Sequence, residues 1–283
     1  MRAAGANSAN RVRLVKGSHI ITRKFWEGEQ AYLLQNTDKR VIFVNPYESD
    51  FALIGTTDVP FSGRSEDVAI DDDEIVYLLA VVARYFVKAP TRAEVISAFS
   101  GVRPLFDDKT DNASAVTRDY VFDLDAPAGV APLLSIFGGK ITTYRRLAEQ
   151  AIDRLAQFFP SMKPAWTEAA PLPGGDIDGA DFTAFLETAR RAHPWLPKEV
   201  ATGYARRYGA RMHKLLAGAA SLDDLGRRFG GSLFEREARF LAAEEWAETA
   251  EDILERRTKH YLHMSAHERT EFETWLAATK ESR

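Results

Sequence analysis

A chain of 283 residues is long enough for about two domains, and its 45% apolar and 28% charged residues exclude fibrous and disordered classes. The net charge of −4 supplies no global basic field, so no nucleic acid partner is expected. The absence of cysteine rules out disulfides, thiolate metal sites and cysteine nucleophiles.

That absence fits a reducing, cytoplasmic setting. The opening MRAAGANSANRVRLVKG has no apolar core for a secretory signal, and no run of about 18 apolar residues marks a membrane span. Any membrane contact is therefore expected to be peripheral. From His19 to Asp58 four β-branched and aromatic runs, HIITRKF, QAYLLQN, RVIFVNP and FALIGTTD, predict an antiparallel meander. DDDEIVYLLAVVARYFVKAP opens on acids and places Ile75, Leu78, Leu79, Val82 and Phe86 at helical spacing, with Pro90 as its stop.

EVISAFSGVRPLF and TRDYVFDL predict two further strands, and LLSIF a third that runs into GGKITTYRR. Beyond the glycines, Ile141, Tyr144, Leu147, Ala151, Ile152, Leu155 and Phe159 keep one apolar helix face. Proline and glycine punctuate PSMKPAW through PLPGGDIDGAD, and beyond Asp181 nearly everything reads as helical and charged. The expected organisation is α+β. A mixed or antiparallel sheet domain with packed helices covers residues 1–160, a linker covers 161–180, and an all-α domain covers 181–283.

Gly138 and Gly139 end a strand and open a helix, so their amides can approach a ligand at the positive helix end. Lys140 and the hydroxyls of Thr142 and Thr143 add donors there. The place suits a phosphate or the N1/O2 edge of a reduced flavin; a plain strand-to-helix turn with capping threonines is the alternative. Arg103 in SGVRPL precedes a proline that holds its backbone extended. Arg118 in TRDY and Arg40 in NTDKR stand at strand beginnings, and several such forks in one cleft would bind a dianion. His19 stands at the entrance to the first strand, as a base, an alcohol partner or a structural residue. His260, His263 and His267 have a superficially metal-like spacing, but SAHE reads as a capping box that moves the third onto another element. The basic clusters ARRYGARMHK and GRRFGG read as a solvated face, or as a patch for anionic lipid or a partner subunit.

Taken in order, KGSHII, IGTTD, SGVRPL, TRDY and FGGKITTYR, followed by PAWTE and PLPGG, resemble the FAD-dependent, respiratory-type glycerol-3-phosphate dehydrogenases from about Val12 onward. The resemblance implies a sheet that caps the substrate, a helical C-terminal domain, and oxidation of sn-glycerol 3-phosphate to dihydroxyacetone phosphate. Electrons would pass through FAD to quinone at the inner face of the cell membrane. By position it implies catalytic roles for His19 and Lys140, substrate contacts from Arg40, Arg103, Arg118 and Thr142, and flavin contacts from Gly138, Gly139, Lys140, Ile141, Thr142 and Thr143.

No G-x-G-x-x-G follows a strand in this sequence. Against the family pattern this implies that the N-terminal FAD-binding half is missing, that only the last strand–helix element of that domain lies within 1–160, and that the FAD site is partial. Activity of the chain alone would be slight, and a matching N-terminal half or a second copy becomes an expected partner. Two alternatives stay open: a flavin-free module that binds a phosphorylated polyol, and an oxidase that hands electrons to oxygen.

Overall fold

The computed structural model describes residues 8–108 and 119–281, and the chain forms two compact units, one ending at Glu168 and one starting at Ala169. In the first, a six-stranded sheet runs in the order β2 (Tyr32–Gln35), β3 (Val41–Tyr47), β4 (Phe51–Gly55), β1 (Val12–Arg23), β5 (Val59–Pro60), with β6 (Ser97–Phe106) on β1. All pairs are antiparallel. The order corrects the simple meander. β1 is the central strand, flanked by β4 and β5 on one edge and by β6 on the other.

Alternation along β1 splits its side chains between two faces. Ile20 joins Leu34, Ile42, Val44, Ala52 and Ile54 in a core closed by Ile75, Leu78, Val81 and Val82 of α1 (Asp72–Tyr85). Full burial of each large aliphatic here contributes about 1.5–3 kcal/mol. The start of α1 is fixed by a capping box in which Asp71 accepts from the Glu74 amide and Glu74 from the Asp71 amide, next to Asp72 and Asp73 at the positive helix end. The helix stops at Tyr85, ahead of Pro90, because Phe86 is already extended (φ −119°, ψ 131°).

Below Ile20 the same face of β1 is polar. Buried Lys16 pairs with Glu74 at 2.8 Å and Asp71 at 2.9 Å, and Ser18 Oγ donates to Glu74 at 2.9 Å. Burial works against the charge on Lys16, but the hydrogen bonds to Glu74 and Asp71 win and its pKa is raised.

β7 (Tyr120–Asp125) and β8 (Leu133–Gly138) form a separate antiparallel hairpin. Behind it lies α2 (Tyr144–Leu155), joined by the Tyr120 hydroxyl to Gln150 contact at 2.9 Å. No residue of α2 is buried, and Ile141, Ile152 and Trp166 are exposed on and beside it.

The second unit contains α3 (Phe182–Ala192), α4 (Lys198–Tyr208), α5 (Met212–Leu215), α6 (Glu235–Glu244) and α7 (Ala266–Glu281). It is not all-α. A small hairpin, β9 (Arg228–Gly230) with β10 (Leu233–Phe234), buries Phe229 and Leu233 in the same core as Tyr204, Met212, Ile253 and Phe272. The basic cluster expected as a solvated face is paired instead: Arg207 reaches Glu237 at 2.9 Å, Arg211 reaches Glu244 and Glu245, and Lys214 reaches Glu244 at 2.6 Å. Among the described residues no helix is long and apolar enough to cross a membrane.

Candidate active site

On the sheet face turned away from α1, cross-strand pairing lines up Leu33, Phe43, Gly55, His19 and Phe99 in one row over five strands. Leu33, Phe43 and Phe99 are exposed. The His19 ring stacks on Phe99 with centroids 5.0 Å apart and lies over Gly55, where a Cβ would fall 2.3 Å from its Cδ2. Any larger residue at position 55 would expel the imidazole. His19 is thus mid-strand, not at the strand entrance.

Arg103 stands across from Val15, on the same face. Its Nη1 donates to Asp58 at 3.0 Å and its Nη2 to Thr56 Oγ1 at 3.0 Å. The guanidinium lies against Gly17, where a Cβ would meet it at 2.3–2.6 Å. Gly17 pairs with Gly101, and a Cβ added at Gly101 would meet nothing within 4 Å. Gly17 thus seats the guanidinium, and the sheet surface beside it is open above Gly101. Burial first, and the Arg103 charge second, hold the His19 pKa below its ordinary value, so the imidazole is neutral near pH 7. Its Nδ1 is buried with no hydrogen-bond partner. A buried polar atom without a partner is uncommon in a folded protein.

IGTTD ties this face to the core. Thr57 Oγ1 accepts from the Ser18 amide at 2.9 Å and donates to buried Glu74 at 2.6 Å, while its neighbours Thr56 and Asp58 hold Arg103. Gly17, Gly55, Thr56 and Asp58 are the residues that sequence reasoning missed. The signal was available: in KGSH the glycine is two residues from His19, hence on the same side of a strand.

The Gly138–Gly139 turn has φ of 77° and 100°, open to glycine and strained for other residues. A Cβ on Gly138 would fall 2.6 Å from the Asp119 carbonyl and 3.0 Å from the Phe106 amide. Phe106 is three residues along β6 from Arg103, about 10 Å of extended chain. Lys140, Ile141, Thr142 and Thr143 follow, all exposed. They form a 3-10 turn ahead of α2, so the α-helix starts at Tyr144, and Thr143 Oγ1 donates to the Lys140 carbonyl instead of capping the helix.

Arg40 does not join Arg103. Its guanidinium is held by Asp38 at 2.6 and 2.8 Å and lies 3.8 Å over the ring of Tyr77 on α1, the other side of the sheet. Arg118 lies outside the described residues. His260 is buried against Glu237 at 3.2 Å, and SAHE forms its capping box between Ser265 and Glu268.

The model for FAD dependent oxidoreductase matches residues 2–145, half of the chain, and that for the C-terminal domain of alpha-glycerophosphate oxidase matches 165–274. The chain belongs to the FAD-dependent oxidoreductase family. FAD is the cofactor of that family. The chain is 58% identical over 273 residues to D-erythritol 1-phosphate dehydrogenase of Brucella abortus, covering 96% of this chain and 54% of the relative. It is 43% identical to the aerobic glycerol-3-phosphate dehydrogenase of Escherichia coli, covering 96% and 54%. The glycerol-3-phosphate dehydrogenase of Bacillus halodurans, solved with FAD, superposes with a TM-score of 0.72 at 24% identity, over 96% of this chain and 57% of that one, which shows a shared fold. The chain spans about half the length of the curated relatives it matches. Because the family match begins at residue 2, it does not support the expectation that this chain stands outside the FAD-binding half.

The left-handed diglycine turn, with the exposed donors of Lys140, Thr142 and Thr143 after it, is the part of this structure that would suit one edge of an isoalloxazine. The sequence has no glycine-rich fingerprint for a pyrophosphate.

Proposed function

We propose that this chain supplies the substrate wall of an FAD-dependent dehydrogenase that oxidises the secondary alcohol of a short polyol phosphate, sn-glycerol 3-phosphate to dihydroxyacetone phosphate being the reference reaction. The observation that carries the reading is Arg103 and His19 on one sheet face with only glycine between them. Arg103, locked by Asp58 and Thr56, turns its remaining N–H donors to the phosphate and sets how far the polyol reaches along the sheet. His19, neutral, takes the proton of the reacting hydroxyl. Lys140 lends positive charge where negative charge develops, and Gly138 to Thr143 border the flavin. FAD, when bound, accepts the hydride from the alcohol carbon. Quinone as the final acceptor is part of the same reading.

A second substrate, D-erythritol 1-phosphate, is favoured by the open space over Gly101 and by the 58% relative. The test is to co-express the chain with the N-terminal half of that relative and to measure bound flavin absorbance and dye reduction with each polyol phosphate. Flavin with reduction by either substrate supports the reading, and their ratio of kcat/KM assigns the chain length preferred. Flavin without reduction by either substrate would refute it.

A further inference from the structure

At the far end of β1 from Arg103, a notch of about 280 Å³ is lined by Arg23, Lys24, Phe25, Lys88, Ala89, Pro90 and Glu94. From Val15, opposite Arg103, to Arg23 the strand extends by about 26 Å, and Arg23 is four residues, about 13 Å, beyond His19, so this place lies at the other end of the strand. Three cations line it against one acid, and that acid is already engaged: Glu94 accepts from the Thr91 amide and hydroxyl at 2.7 Å each, bonds that hold its pKa low. Lys24 touches exposed Glu29 at 3.2 Å. Arg23 lies 4.5 Å over the Phe51 ring, and among the described residues neither Arg23 nor Lys88 has an acid partner. Phe25 is held edge-on against Phe86 and Trp26, so the apolar wall is rigid.

We propose that this notch binds a phosphomonoester dianion. A guanidinium fork on a fixed aromatic, with two ammonium groups beside it, matches a compact doubly charged tetrahedral group, and Phe25 and Pro90 give an attached apolar portion a surface. The notch has room for a phosphate group and opens to solvent, so an attached stem can extend outward. The source of that group is a lipid headgroup or a soluble phosphate ester. Val87, fully exposed beside Lys88, fits the first.

The experiment compares the chain with the R23Q/K88Q variant by calorimetry with inorganic phosphate, and by co-sedimentation with phosphatidylcholine vesicles with and without phosphatidic acid. Binding in either arm that falls roughly tenfold or more in the variant supports the site. Loss confined to phosphatidic acid vesicles assigns a lipid source, and loss confined to free phosphate a soluble one. Phosphate heat that R23Q/K88Q retains and Arg103→Gln removes belongs to the substrate face. No binding in either arm, or binding unchanged by R23Q/K88Q, overturns the proposal. Should the double variant fail to fold, Lys88→Gln alone, at an exposed position, decides it.

Discussion

Substituting Gly17 by alanine probes the phosphate grip without touching a charged group. The new methyl would stand 2.3 Å from Nη2, 2.4 Å from Nη1 and 2.6 Å from Cζ of Arg103, where ordinary contact begins at 3.4 Å. The guanidinium must therefore retreat by about 1 Å, the difference between 3.4 and 2.3, and cannot keep both its 3.0 Å bonds, to Asp58 and Thr56. A charge-assisted hydrogen bond is worth about 1.5–3 kcal/mol, so a dianion that meets a misaligned fork binds about 10- to 150-fold more weakly. Steady-state kinetics of the flavin-loaded assembly with glycerol 3-phosphate should show that loss in KM, with kcat much less affected because His19 keeps its place over Gly55. Gly101→Ala is the control: its methyl meets nothing within 4 Å, so Arg103 stays and the KM effect should be confined to substrates long enough to lie over that position. A KM within twofold of the parent for Gly17→Ala in a folded protein would refute the assignment of Arg103 to the phosphate.

Three other outcomes are expected. Glu74→Gln leaves Lys16 buried with only Asp71 for charge and weakens the Thr57 and Ser18 contacts, and urea unfolding should show a loss of about 3 kcal/mol. Glu237, fully buried, has a pKa that burial would raise but that the Arg207 and His260 charges bring below its usual value. A depressed carboxylate stabilises the fold above its unfolded value of 4.5 and loses that contribution as pH falls through the folded pKa, so acid unfolding of the parent should carry a limb below pH 4.5 that Glu237→Gln lacks. For His19, whose folded pKa lies below 6.5, the acid limb of kcat/KM should fall below pH 6.5 and move up toward it in Arg103→Gln, which removes the lesser of the two causes; an unmoved limb would separate the two groups.

Local pattern made most elements legible. The β-branched runs, the acid-led start of α1 and the SAHE box each depend on neighbours within a few residues, and the strands and caps form there. What the sequence hid was long-range. Nothing within HIITR says that β1 takes β4 and β6 on its two edges, yet that pairing is what sets Phe99 on His19 and Gly101 beside Gly17. Arg40 shows the converse failure. An arginine at a strand start looked like its counterparts, but Asp38 two residues earlier in the same turn claims its guanidinium, and Tyr77 takes its face. Arg103 instead finds its acid 45 residues away at Asp58, although Asp107 is nearer in the chain, and no local count predicts that choice.

The two faces of β1 explain why the site can be so bare. On that side of β1 glycine at position 17 and the imidazole at 19, stacked on Phe99, stand between buried Val15 and Ile21, so its middle has little apolar packing of its own to fix the register. The fixing is done from behind. Lys16, Ser18 and Ile20 alternate with the site residues and are anchored to Glu74, Asp71 and the α1 core, and Thr57 links that buried carboxylate to the loop holding Arg103. The charged cluster under the sheet thus carries the positional precision that the open face must lack if a substrate is to lie on it. Loss of Glu74 should then loosen Arg103 through Thr57 while leaving every atom of the substrate face chemically intact.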